Sequence, residues 1–251
     1  IDYKYAYAGS IIPLVMNEIE NLMIAQDCIN DLLPTFPDVL SVRTALSMPN
    51  SLAYDNYERL EILGDSILKL LVSLHLLLKY QAYHEGQLTK LKGKIVSNAS
   101  LLNAADTVDL QRFISLNPFS PRSFVPMGFR TMENTPSRDL SDKAIADVVE
   151  ALIGSYYLYS NGDLTATWEN IVHTLNIVQE CECTHNFAIS ELVNNRLHNN
   201  LSVHQQTIIE QVYEIIQYDF KHPQLLLEAL THTSHESIDM GCYQRLEFLG
   251  D

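Results

Sequence analysis

Tyr57 to Asp65 read YERLEILGD, and Tyr243 to Asp251 read YQRLEFLGD; seven of the nine positions are identical. Self-similarity decides architecture before any local pattern does, and here it makes the chain a tandem. The match extends upstream: Thr44-Ala45-Leu46-Ser47 precedes the first copy as Glu228-Ala229-Leu230-Thr231 precedes the second. Ala45 recurs after 184 residues and Tyr57 after 186. Two residues over that distance amount to a change of loop length. If the stretch is helical, Glu61 and Asp65 project from one face about one turn apart. Like charges so placed repel, and a cation between them removes the repulsion. Such a pair also occurs on ordinary solvated helix faces; its recurrence, each time with a glycine before the aspartate, favours a site.

Working outward, Leu60, Leu63, Ile67, Leu70, Leu71, Leu74 and Leu78 form one apolar stripe, which predicts a long buried helix from Tyr57 to about Tyr80. Charged groups on such a helix need partners. Upstream, Ser10 is expected to cap a helix with Pro13 in its first turn and Ile12, Met16, Ile19 and Met23 on its packed face, ending at Leu33-Pro34. A short helix is expected over Val39 to Leu46. Downstream, Lys90, Lys92 and Lys94 form the one dense basic cluster, suited either to phosphate or to a solvated helix face. Residues 117 to 140 hold Pro118, Pro121, Pro126 and Pro136 among Arg122, Arg130 and Arg138, and read as a long loop. Ser141 caps the next predicted helix, with Ile145, Val148, Val149, Leu152, Ile153 and Tyr156 as its buried stripe and Gly154 permitting close helix approach. On it Asp147 and Glu150, at i and i+3, give a second carboxylate pair. Four carboxylates from two helices make a hard oxygen cage that suits Mg²⁺ or Mn²⁺ and not zinc.

YERLEILGDSIL resembles the signature of the ribonuclease III family. HPQLLLEALTHTS followed by YQRLEFLGD resembles the usual opening of such a domain, and DKAIADVVEALIGSYYL, Asp142 to Leu158, resembles its closing helix. Two copies in one chain resemble the tandem catalytic domains of the Dicer-like branch. The resemblance implies an all-α endonuclease fold with the second copy incomplete: a tail at 1–9, a first domain at 10–180, a connector at 181–203 and the start of a second domain at 204–251. It implies that Glu61, Asp65, Asp147 and Glu150 are catalytic and bind metal, joined by Glu247 and Asp251 in the second copy. It further implies cleavage of double-stranded RNA to small RNAs with 5′-phosphate and 3′-hydroxyl ends, in RNA silencing, by an intramolecular pseudo-dimer with one site per strand. Lys90, Lys92, Lys94 and Lys143 are then candidate RNA contacts.

The net charge of −15 opposes binding of RNA by the whole surface, because phosphate neutralisation by Lys and Arg dominates such affinity. Bound divalent cations and basic modules outside the segment would offset it. Four cysteines without regular pairing suit a reducing, intracellular compartment, cytoplasm or nucleus. Cys181-x-Cys183-x-His185 lacks a second ligand pair at zinc-finger spacing and reads as linker. The apolar run after Asp65 is too short to span a bilayer, so no membrane partner is expected. Two other readings remain at this level: a catalytically inactive ribonuclease III scaffold or RNA-binding module, which would tend to lose carboxylates, and a di-metal redox bundle, which would carry Glu-x-x-His pairs. All four carboxylates are present, and no His follows Glu61 or Glu150 at that spacing.

Overall fold

The computed structural model describes residues 3–49, 55–80, 83–115, 120, 124–129, 140–178, 201–234 and 241–250. Among them the protein is helical, with a single bridge between Ser47 and Ser115 as its extended pairing. The chain divides into two compact units, Ile1–Leu71 with Ile95–Thr184, and Val72–Lys94 with His185–Asp251. No helix among the described residues is long and apolar enough to cross a membrane.

The first unit is built around a helix, α6 (Asp142–Tyr159), in which every residue from Ala144 to Tyr156 is buried. Ser141 starts it, its Oγ accepting the Ala144 N–H at 3.2 Å, and Asp142 places a negative charge in the first turn where the dipole favours one. Against α6 pack α2 (Val39–Leu46), α5 (Asn98–Thr107) and α7 (Leu164–Thr167), the last passing into a π turn, Trp168–Val172, that buries Trp168. Phe36 is fully buried, edge-on to Tyr156 at 5.2 Å between ring centroids and tilted against Tyr159 at 5.1 Å.

α1 (Tyr3–Leu32) differs from expectation in two ways. It begins seven residues before Ser10 and carries Pro13 inside the helix. Ser10 is no cap; its Oγ donates to the Tyr7 carbonyl at 2.7 Å, the back-bond by which a serine is accommodated within a helix. The packed face is also another one. Ile12, Ile19 and Met23 are exposed, whereas Asn21, Ala25, Cys28 and Ile29 are buried. α1 is apolar around most of its circumference, so hydrophobicity does not choose the face. Polar partners do: Glu18 accepts from Arg43 Nη2 at 2.6 Å, and Asn21 Oδ1 accepts from Ser115 Oγ at 3.2 Å.

α3 (Glu58–Lys79) and α4 (Glu85–Ile95) follow the same chain logic, though the α3 stripe is imperfect: Leu70 is exposed, and residues Leu71 to Leu77 are buried on all sides. In the second unit α8 (Val203–Ile216) opens with a capping box between Ser202 and Gln205 and closes at Gln217 in the left-handed conformation. It buries none of its residues, while α9 (Pro223–Leu230) buries Leu226 and Leu227, and α10 (Gln244–Gly250) buries Phe248. α9 matches α2 end for end after 184 residues, and α10 begins 186 residues after α3. The expected connector falls outside the described residues as far as residue 200, as do Cys181, Cys183 and His185.

Candidate metal centre

Two backbones must come very close for side chains on separate helices to converge. α3 enters from Tyr57, whose N–H donates to the Ser47 carbonyl at 3.1 Å, and Asn56 Oδ1 accepts the Glu58 N–H at 3.1 Å to satisfy a first-turn amide. It crosses α6 at two glycines. A methyl group on Gly64 would overlap the Glu150 carbonyl and lie 2.9 Å from the Gly154 nitrogen; one on Gly154 would overlap the Leu60 carbonyl and lie 2.9 Å from the Gly64 nitrogen. Any Cβ there forces the helices apart, which is the physical need for glycine at both positions.

The crossing brings Glu61 from α3 beside Asp147 and Glu150 from α6. One oxygen from each lies within 4.8 Å of the others, with Asp147 and Glu150 buried and Glu61 partly so. Asp65 lies outside this group. Its Oδ2 accepts from Lys69 Nζ at 2.7 Å, one turn along α3. Its charge still reaches the cluster: burial first, and then the charges on Asp65, Asp147 and Glu61, together push the Glu150 carboxyl up from 4.5 to about 7, against Lys69. Burial likewise raises Glu61, followed by the charge on Asp147, and Lys143 opposes. The Lys143 ammonium donates to Asp147 Oδ2 at 2.7 Å and stands 3.7 Å from Glu61 Oε1. The side chain expected as an RNA contact is thus the counter-ion of the carboxylates, 67% exposed at their rim.

Repelling carboxylates with one of them held partly protonated near neutral pH are a donor set short of positive charge. Oxygen ligands so close together fit a hard divalent cation, and Glu61, Asp147 and Glu150 would hold it.

Residues 58–161 match the family described as Ribonuclease III domain. This stretch of the chain is similar to that family. Both helices of the crossing fall within it, and so do Glu61, Asp65, Asp147 and Glu150. Among curated proteins the chain is 34% identical over 258 residues to Dicer-like protein 2 of Coccidioides immitis, covering 99% of the chain and 17% of the relative. It is 31% identical to Endoribonuclease Dicer homolog 4 of rice, covering 96% of the chain and 16% of the relative, and 31% identical to Endoribonuclease Dicer homolog 1 of Arabidopsis thaliana, covering 96% and 14%. The chain therefore spans about a sixth of the length of these relatives. A solved nuclease domain of ribonuclease III from Campylobacter jejuni is 26% identical, over 59% of this chain and 95% of that one, with a TM-score of 0.47.

The remaining sequence candidates lie elsewhere. In the second unit Glu247 is exposed, and Asp251 is outside the described residues. Lys90 and Lys94 are exposed on α4, and Lys92 holds its ammonium 5.4 Å from the Phe248 ring centroid. Arg122, Arg130 and Arg138 are outside the described residues. One neighbour of the metal centre was not singled out from the sequence. Tyr57 is buried, and its phenol is pushed up by burial and then by Asp147 and Glu61. Its tyrosine partner Tyr243 at the head of the other copy was the available signal.

Proposed function

We propose that this ribonuclease III domain cleaves double-stranded RNA with Mg²⁺ or Mn²⁺, leaving 5′-phosphate and 3′-hydroxyl ends, as the catalytic part of a Dicer-like enzyme of RNA silencing. The observation that carries this reading is the convergence of Glu61, Asp147 and Glu150 at a two-glycine helix crossing inside the domain. Held there, divalent ions supply Lewis acidity and a water of lowered pKa for phosphodiester hydrolysis. The chain supplies the rest. Glu61, Asp147 and Glu150 provide the oxygen ligands, and Glu150 gives up its proton on binding. Asp65 adds negative charge from just outside. Lys143, exposed and hydrogen-bonded to Asp147, is placed to meet a phosphate at the rim.

The substrate class follows from the same chemistry. A duplex of A-form RNA is read by shape and through its 2′-hydroxyls, with little need for base contacts. The −15 charge of the chain confines attraction for phosphate to the ions and a few lysines. Two copies, the first over 10–180 and the second opening at 204, pair as an internal dimer with one site for each strand. The test is cleavage of end-labelled double-stranded RNA by a chain extended through a complete second copy, in Mg²⁺ and in EDTA, with Asp147→Ala beside it. Loss of the metal-dependent cut on one strand alone supports the proposal. Retention of both cuts in the variant removes these carboxylates from the reaction and restores the scaffold reading.

A further inference from the structure

Tyr57 is fixed by its backbone on both sides. Its N–H donates to the Ser47 carbonyl at 3.1 Å, and its carbonyl accepts the Glu61 N–H at 2.8 Å, one turn before a carboxylate of the metal centre. Tyr243 repeats both bonds in the second copy, giving to the Thr231 carbonyl at 3.1 Å and accepting from the Glu247 N–H at 2.8 Å. Each copy therefore sets a tyrosine in the same register to its first glutamate. At 6% exposure the ring is buried, and packing alone asks for a ring here and not for a hydroxyl.

The hydroxyl needs its own account. A buried tyrosine O–H ordinarily finds an acceptor, and leaving it without one costs free energy. Among the described residues the Tyr57 hydroxyl makes no hydrogen bond. The charges that act on it are Asp147 and Glu61 of the metal centre, then Lys143 and Glu58. Lys143 already engages the two carboxylates of the centre, at 2.7 Å from Asp147 Oδ2 and 3.7 Å from Glu61 Oε1. Burial and the carboxylates keep the phenol protonated, so it offers a donor. A donor lacking an acceptor, set between a cation-binding cluster and an exposed ammonium, lies where a bound metal would draw an anion. On RNA the acceptor of that description is a phosphate oxygen.

We infer that Tyr57 is a substrate-binding group of this site: its hydroxyl donates to a non-bridging phosphate oxygen of the RNA strand that is cut at Glu61, Asp147 and Glu150. This rests on the endonuclease reading above and adds a neutral donor to its ions and lysine. Being uncharged, the hydroxyl contributes attraction for phosphate without repelling the metal, as the Lys143 ammonium does. A donor aimed at an oxygen on which charge builds contributes more to the reaction than to binding.

Tyr57→Phe tests it, because the ring stays and only the hydroxyl goes. In the chain extended through a complete second copy, the variant and its parent are compared by thermal melting in EDTA and by calorimetric titration of Mg²⁺ without RNA. Binding of double-stranded RNA is followed by fluorescence anisotropy in Ca²⁺, which offers the carboxylates the same charge with a less exacting geometry, and cleavage is followed in Mg²⁺. Melting and Mg²⁺ affinity should not change. RNA affinity in Ca²⁺ should fall by about threefold or more, and the cut that Asp147→Ala abolishes should slow by about tenfold or more, mainly in kcat. If RNA affinity and that cut are both unchanged, the inference is wrong and the endonuclease reading stands. A loss of Mg²⁺ affinity as large as the loss of rate overturns it too, since the hydroxyl then serves a carboxylate ligand and not the RNA. An unaltered chain that cuts no RNA in Mg²⁺ sinks the endonuclease reading; the anisotropy comparison then decides the contact alone, a fall sustaining it and an unchanged affinity overturning it.

Discussion

Glu150→Gln should stabilise the metal-free protein at alkaline pH while abolishing its response to metal. The carboxyl is buried, at 8% exposure, and sits at about 7 instead of 4.5, first because of burial and then because Asp65, Asp147 and Glu61 face it. Between those two values the folded state holds a proton that the unfolded chain has released. Stability therefore rises as pH falls through about 7 toward 4.5, and above 7 the folded state bears the full penalty of the buried charge. That penalty is about 3 kcal/mol by linkage. Glutamine keeps the shape and removes the charge, so the variant should gain roughly 2–3 kcal/mol above pH 7, or about 4–12 °C in Tm. Near pH 5 the gain should largely vanish. Calorimetry in EDTA at both pH values, repeated with millimolar Mg²⁺, measures each part. The unaltered chain should gain Tm with Mg²⁺ by mass action and the variant should not. A variant less stable than its parent in EDTA at alkaline pH refutes the charge-repulsion account of the site.

Gly64→Ala should be far more damaging than its size suggests, because the added methyl meets the Glu150 backbone and not a movable side chain; a loss of about 3 kcal/mol or more with Mg²⁺ binding abolished is expected from such overpacking, and calorimetry with titration of the metal decides it. Lys143→Ala removes the ammonium that competes with a divalent ion for Asp147 and Glu61. Mg²⁺ should then bind about two- to fivefold more tightly, the weak effect of an exposed charge, as isothermal titration would report. Slower RNA cleavage in the same variant would separate its contact with substrate from its effect on metal. Phe36→Ala empties a fully buried site against Tyr156 and Tyr159 and should cost about 3–5 kcal/mol in denaturant unfolding, without altering metal affinity in the folded protein.

Much of this was legible before any coordinates. The buried stripe of α6 ran along the residues expected, since Ile145, Val148, Leu152 and Tyr156 recur every three or four positions and so share one helix face. α1 was misread for the complementary reason. Its apolar residues lie on several faces, and an ion pair with Arg43 and a hydrogen bond with Ser115, contacts distant in sequence, select the one that packs. Lys143 looked like a surface lysine at a helix start; only the approach of Glu61 from another helix makes it the counter-ion of a cluster.

The sequence by itself determined the tandem, the helices and the spacing of each carboxylate pair, because a repeat is written in the chain and the positions i, i+3 and i+4 share a face by helical geometry alone. Which carboxylates meet was decided by tertiary structure. Glu61 joins Asp147 and Glu150 while Asp65 turns to Lys69, and that choice depends on where α3 crosses α6. Two glycines set the crossing by letting backbones touch. Such a contact between residues 90 positions apart is a property of packing, which no local pattern encodes.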